Sequence, residues 1–181
     1  MKIRVELWGP EAAKDAEALH GVYRAAFGEP PYHESVAAAA RWRDETLPKH
    51  AGRQDFRCAV ALVGDELVGF AYGYTGHHGQ WWTDRIASIL PRKEAAYWLG
   101  GHFEFVELAV APAYQRHGVG AALHDTLLAE LPNPRALLTT WSYDTPARRL
   151  YLRRGWRVLI QELSYEWESS LFGLDLTARP A

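Results

Sequence analysis

The sequence predicts an α/β domain on a central sheet that is part antiparallel and part parallel. Three observations lead there. Apolar residues switch between period 2 and period 3.6 in the order β-α-α-β-β, then, after a variable stretch, β-α-β-α-β-β. A Gly64-Asp65 pair between two β-like runs marks a hairpin, hence an antiparallel part. Strand-helix-strand alternation in the second half calls for parallel pairing. No repeat, low-complexity tract or splitting linker interrupts residues 1–181, so a single domain is expected, with an aromatic-rich insert at about 75–101.

The elements follow in turn. Ile3, Val5 and Leu7 alternate with Lys2, Arg4 and Glu6, a strand that Gly9-Pro10 ends. Over Ala12–Phe27 a helical stripe runs through Ala16, Leu19, Val22, Tyr23, Ala26 and Phe27. Pro30-Pro31 cannot continue it, and Ser35 can cap a second helix to about Leu47. Phe56–Val63 and Glu66–Tyr74 form the hairpin. Residues 75–100 read poorly, apart from a short helix near Arg92–Trp98. His102–Val110 is a strand, Gly118–Glu130 a helix, Arg135–Tyr143 a strand and Thr145–Arg154 a helix. Arg157–Leu163 and Leu171–Leu176 close the sheet.

Composition is that of a globular chain, 48% apolar and 23% charged, large enough to bury roughly 70% of its unfolded surface. A net charge of −2 lacks the basic excess expected of a nucleic-acid or membrane-surface partner. No apolar stretch approaches a membrane span, and Met1-Lys-Ile-Arg-Val lacks a signal-peptide core. The single Cys58 lies in an apolar run and reads as a buried hydrophobe. A cytoplasmic protein is the expectation. His77-His78 has no third ligand at a useful spacing, so no metal is expected. Neither H-E-x-x-H nor G-x-S-x-G occurs.

The chemistry concentrates after the fourth strand. Leu108-Ala-Val-Ala-Pro112 ends that strand, and Gln115-Arg-His-Gly-Val-Gly120 runs straight into an amphipathic helix. A helix start carries unpaired N–H groups and the positive end of the macrodipole. Glycines there let an anion approach the backbone, so the segment is a candidate anion site. Taken alone, the two glycines are equally compatible with a simple turn.

Gln115–Gly120 matches the Q/R-x-x-G-x-G/A motif, and on it the chain resembles the GCN5-related N-acetyltransferases. Glu107–Pro112 before the loop and Ala147-Arg-Arg-Leu-Tyr-Leu-Arg-Arg-Gly-Trp156 after it strengthen the likeness, the latter resembling A-x-x-L-Y-x-x-x-G-F. The resemblance spans about residues 103–160. It implies a mostly antiparallel sheet with helices on both faces and a splayed pair of parallel strands. It also implies acetyl-CoA as cosubstrate: main-chain groups of Leu108, Ala109 and Val110 for the pantetheine arm, and Gln115, Arg116, His117, Gly118, Val119, Gly120 and Ala121 for the pyrophosphate. Asp144 stands where the family usually has Asn for pantetheine.

Tyr151 matches the family tyrosine that can protonate the leaving thiolate, although a helix face shared with Ala147 and Leu150 also fits a core role. Glu104 and Glu107 interrupt an apolar strand and are the candidate bases, since burial raises a carboxylate's pKa toward neutrality. Either can instead pair with an arginine. Arg148, Arg149, Arg153, Arg154 and Arg157 read mainly as a solvated face.

The acceptor side is thinner. Tyr32 and His33, between the first two helices, border the region where the family's acceptor lies. Trp81, Trp82, Tyr97 and Trp98 fit either an aromatic wall or packing, including a homodimer contact, with packing favoured. Glu162, Glu166, Glu168 and Asp175 would suit a cationic acceptor, or a solvated edge. The expected activity is direct acetyl transfer to a primary amine of a small molecule or peptide. A non-catalytic acyl-CoA sensor and a longer-chain acyltransferase are the alternatives.

Overall fold

The computed structural model describes residues 2–163 and 168–177. Among these residues seven strands form one sheet: β1 (Arg4–Trp8), β2 (Arg57–Val63), β3 (Glu66–Gly76), β4 (His102–Val110), β5 (Arg135–Trp141), β6 (Arg157–Leu163) and β7 (Ser169–Asp175). Their order across the sheet is β1-β2-β3-β4-β5-β7-β6. The sheet is mostly antiparallel; β4 and β5 pair in parallel, with Phe103 opposite Ala136 and Glu104 opposite Leu137. Among the described residues seven α-helices accompany it: α1 (Ala16–Phe27), α2 (Val36–Arg41), α3 (Leu47–Ala51), α4 (Trp81–Ile89), α5 (Arg92–Trp98), α6 (Val119–Leu127) and α7 (Pro146–Arg153). Val63 pairs with Glu66, so Gly64-Asp65 is the two-residue turn expected, with Gly64 at φ +60°.

Local chemistry explains most departures from the expected bounds. A 3-10 turn over Pro10–Asp15 precedes α1. Ser35 caps α2 by accepting the Ala38 N–H at 3.1 Å. The helix then passes through a π turn at Trp42–Thr46 into α3, where Pro48 has no N–H to offer the carbonyl four residues back. The poorly readable stretch contains α4 as well as α5; at its start the Asp84 carboxylate accepts the Gly79 N–H at 3.0 Å.

The chain gathers into two compact units, Met1–Tyr74 with Val106–Glu130, and Thr75–Phe105 with Leu131–Ala181. In the first, Leu19, Val22, Trp42, Leu47, Phe56, Val60, Phe70 and Tyr72 build a buried aromatic-rich core. Tyr23 stacks on Trp42 at 4.4 Å and 16°. Gly69 of β3 lets α6 sit close: a Cβ there would lie 3.0 Å from Leu123 Cδ1 and 3.1 Å from the Ala109 carbonyl oxygen. In the second unit the core comprises Ile86, Leu90, Trp98, Leu99, Leu137, Leu163 and Leu171. No helix among the described residues is long and apolar enough to cross a membrane.

Candidate active site

In the first unit, β4 leads through a 3-10 turn (Pro112–Tyr114) into the glycine loop. The Gln115 side chain donates from Nε2 to the Val110 carbonyl at 2.9 Å, and His117 Nδ1 lies 2.7 Å from the Gln115 carbonyl. Arg116 at φ +66° and Gly118 at φ +82° turn the chain so that Gly118 becomes the N-cap of α6. Only glycine takes that conformation cheaply, and a Cβ at Gly118 would meet nothing within 4 Å. Gly118 gives its carbonyl to the Ala122 N–H at 3.0 Å, closing the first turn. Val119 is buried and anchors the helix, Gly120 and Ala121 are half-buried, and Gln115, Arg116, His117 and Gly118 stay exposed. A nine-residue helix opening on an exposed glycine presents first-turn amides to an anion. Ala109 is buried beside Gly69, while Leu108 and Val110 keep partial exposure.

Glu107 belongs to the same unit. It keeps some exposure as a residue, yet burial around its carboxyl pushes the pKa up to about 8, with repulsion from Glu34 adding to the shift. Burial also raises the hydroxyl pKa of Tyr23 and Tyr72, and the Glu107 charge raises both further. Tyr23 is in addition hydrogen-bonded to Glu34. The Tyr72 hydroxyl accepts from Trp42 Nε1 at 3.2 Å and lies 3.0 Å from His50 Nδ1. Tyr32 is half-buried with its ring edge-on to Phe27 at 5.1 Å; His33 is exposed at φ +52°.

In the second unit, Glu104 is 6% exposed, on the part of β4 that pairs with β5. Tyr151 is buried on α7, where Thr145 caps the helix by accepting the Arg148 N–H. Its ring meets Phe105 and Trp156 edge-on at 5.9 Å each. Asp144 is exposed and paired with Arg149. Arg148 reaches Ser170 Oγ and Gln161 Oε1, both at 3.0 Å, rather than lying free on a solvated face.

The aromatic residues of 81–98 do not act as one wall. Trp98 is 2% exposed, in the core; Tyr97 donates to Asp175 at 2.6 Å beneath the Arg135 guanidinium, 3.8 Å from its ring centroid. Trp82 lies over His102 at 6.0 Å, and Trp81 is 70% exposed. Asp175 is thus engaged: hydrogen bonds from Thr177 and then Tyr97 hold its pKa near 2. Glu162 and Glu168 are exposed, and Glu166 falls outside the described residues. Burial pushes the Cys58 thiol up to about 12, far from a working thiolate. Among the described residues no group of three or more His, Cys, Asp or Glu could hold a metal.

The electrostatic coupling of Glu107 with Glu34, Tyr23 and Tyr72 is not visible in the sequence. The one signal for Glu34 is its place directly after Tyr32 and His33.

Residues 16–156 match the Acetyltransferase (GNAT) family model, and the chain belongs to that family. It is 33% identical over 124 residues to a GCN5-like protein acetyltransferase of Mycobacterium tuberculosis, a match covering 64% of this chain and 60% of that protein. The chain therefore spans less than two thirds of that relative's length. Among solved structures, a Pyrococcus horikoshii protein superposes with a TM-score of 0.69 at 18% identity, covering 96% of this chain and 98% of its own. The PaiA N-acetyltransferase of Thermoplasma acidophilum, in complex with coenzyme A, gives 0.62 at 12% identity, covering 97% and 99%. At those identities the likeness concerns the fold.

Proposed function

We propose that this chain is an acetyl-CoA-dependent N-acetyltransferase that acetylates a primary amine of a small molecule or peptide. The observation that carries the reading is the left-handed, unobstructed Gly118 at the start of α6, directly after β4 in a GNAT chain. The donor set there fits a pyrophosphate: exposed first-turn amides, the positive helix end, and no side chain at position 118. The Thermoplasma relative's coenzyme A complex supports the same ligand class.

In this reading Gln115–Ala121 hold the pyrophosphate, and the backbone of Leu108, Ala109 and Val110 pairs with the pantetheine arm. Acetyl-CoA, when bound, supplies the acetyl group as a thioester. The chain's own work is proton management. Glu107 takes one proton from the acceptor ammonium onto its carboxylate, leaving the nitrogen lone pair free to attack. Its raised pKa suits a base working near neutral to mildly alkaline pH, which favours it over Glu104. Tyr151 keeps its place in the family motif and is assigned the phenolic proton for the departing thiolate.

Thiol release from acetyl-CoA, measured across polyamines, aminoglycosides, amino acids and peptide N-termini, tests the reading. Turnover on one class supports it. Tight coenzyme A binding without turnover on any class would make the chain an acyl-CoA sensor instead.

A further inference from the structure

Arg148 is unfavourably placed for an ordinary surface arginine. It lies in the first turn of α7, where the helix macrodipole disfavours a cation. Its neighbour Arg149 pairs with Asp144, whereas among the described residues Arg148 meets no carboxylate. The groups it does meet are neutral. Nη1 donates to Ser170 Oγ at 3.0 Å and to the Trp141 carbonyl at 3.4 Å, and Nη2 donates to Gln161 Oε1 at 3.0 Å. Cζ stands 4.9 Å from the centroid of the Phe172 ring. One guanidinium thus joins α7 to β5, β6 and β7, using a planar fork of donors that lysine lacks.

The sheet is irregular where that fork enters. Ile160 pairs with Leu171 and Leu163 with Ser169, so Gln161 and Glu162 together oppose Ser170, a two-against-one bulge in the edge strand. Side chains take over from the ladder there: Ser170 Oγ donates to the Gln161 carbonyl at 2.5 Å, and Gln161 Nε2 to the Ser142 carbonyl at 3.2 Å. Ser170 is fully buried, so the Arg148 donor also satisfies a hydroxyl that water does not reach.

The same helix face carries Tyr151, three residues on. Its ring meets Phe172 at 6.4 Å and 60°, so Phe172 is touched by both residues. A helix of eight residues is held in place by its contacts rather than by its own propensity. Arg148 is a polar tie from that helix to the sheet, and Tyr151 lies one turn further along.

We propose that Arg148 is a positioning residue for Tyr151: through Ser170, Gln161 and Phe172 it fixes the rotation and height of α7 on the sheet, and with them the place of the phenol. The proposal rests on the reading above, in which Tyr151 gives its proton to the departing thiolate. Arg148 exchanges no proton and touches no reactant. The phenol is needed only when the tetrahedral intermediate collapses, so loss of the tie appears in kcat rather than in substrate affinity.

A double-mutant cycle on thiol release from acetyl-CoA, run on the full chain with the amine that turns over fastest, tests this. Arg148→Met should lower kcat about tenfold with the acetyl-CoA KM unchanged. In a Tyr151→Phe chain the same substitution should lower kcat by less than about twofold, because the group it positions is gone. Gln161 is exposed, so Gln161→Met removes the Nη2 acceptor without touching the core. It should reproduce part of the loss, and again only when Tyr151 is present. Arg153→Met, at an exposed position of the same helix, should leave kcat at the wild-type value. Equal fold-losses in the two backgrounds, an unchanged kcat in Arg148→Met, or an equal loss in Arg153→Met overturns the proposal. Full turnover in Tyr151→Phe alone removes the assigned acid and takes the proposal with it. Absence of thiol release with every amine sinks the enzyme reading, and ring-flip rates from 13C-tyrosine NMR then judge the tie by itself. Arg148→Met should speed flipping of the Tyr151 ring and leave Tyr72 unchanged; an unmoved Tyr151 rate overturns it.

Discussion

His50 Nδ1 lies 3.0 Å from the Tyr72 hydroxyl, which also accepts the Trp42 indole N–H, so one buried phenol joins α3, the π turn and β3. Burial, assisted by Arg53 and Lys49, lowers the His50 pKa to about 4. The folded value lies below the unfolded one, so the native state binds fewer protons. Stability is fully present above about pH 6.5 and is lost as pH falls toward 4. His102, 1% exposed and also near 4, adds to the same window. His50→Gln should reduce the acid slope by about 2 kcal/mol in total, read as urea midpoints from pH 7.5 to 4. An unchanged slope would mean that His50 already accepts a proton in the folded chain.

Tyr151→Phe tests the assigned acid. The ring packs against Phe105, Trp156 and Phe172, and phenylalanine preserves that packing. We expect kcat to fall about 100-fold, with coenzyme A affinity by calorimetry nearly intact. Undiminished turnover would leave Tyr151 a core residue.

Gly118→Ala isolates the backbone term. No neighbour lies within 4 Å of the added methyl, so the cost comes from φ +82° alone, about 1 kcal/mol of stability. Coenzyme A should bind more weakly as the first-turn amides shift. Full affinity in a destabilised variant would place the anion elsewhere.

Gly76 and His102 form a close contact in the second unit, the imidazole lying where a Cβ on Gly76 would stand. Gly76→Ala should cost about 2 kcal/mol through overpacking, and His102→Ala in the same chain should recover most of it. Thermal melts of the two single variants and the double variant give the coupling; additive losses would contradict the contact.

Legibility in the sequence followed the range of the forces involved. Ser35, Gly64-Asp65 and Gly118 were readable because each satisfies a local backbone demand: a cap, a tight turn, a positive φ. The family motif extended the expectation, though not a local backbone demand, to Gln115–Ala121 and Tyr151. Residues 81–89 were unreadable as a helix because Trp81 and Trp82, adjacent indoles, blur the period, and Trp81 points outward at 70% exposure. The repulsion between Glu34 and Glu107 was hidden for a different reason. It depends on a turn whose main-chain bonds, Glu34 to Phe27 among them, fold the chain back onto the end of α1. No spacing rule relates residues 34, 72 and 107.

The bond from Gln115 Nε2 to the Val110 carbonyl gives the first letter of the glycine-loop motif a physical meaning. That letter is Q or R, one neutral and one charged, and what the two share is a long arm ending in N–H donors. The requirement is thus for a donor, not for charge. Gln115 works as a latch between the end of β4 and the loop leaving it, so one side chain ties the strand edge to the approach to the helix. Glutamate at 115, equal in length but without a donor, should set the two adrift.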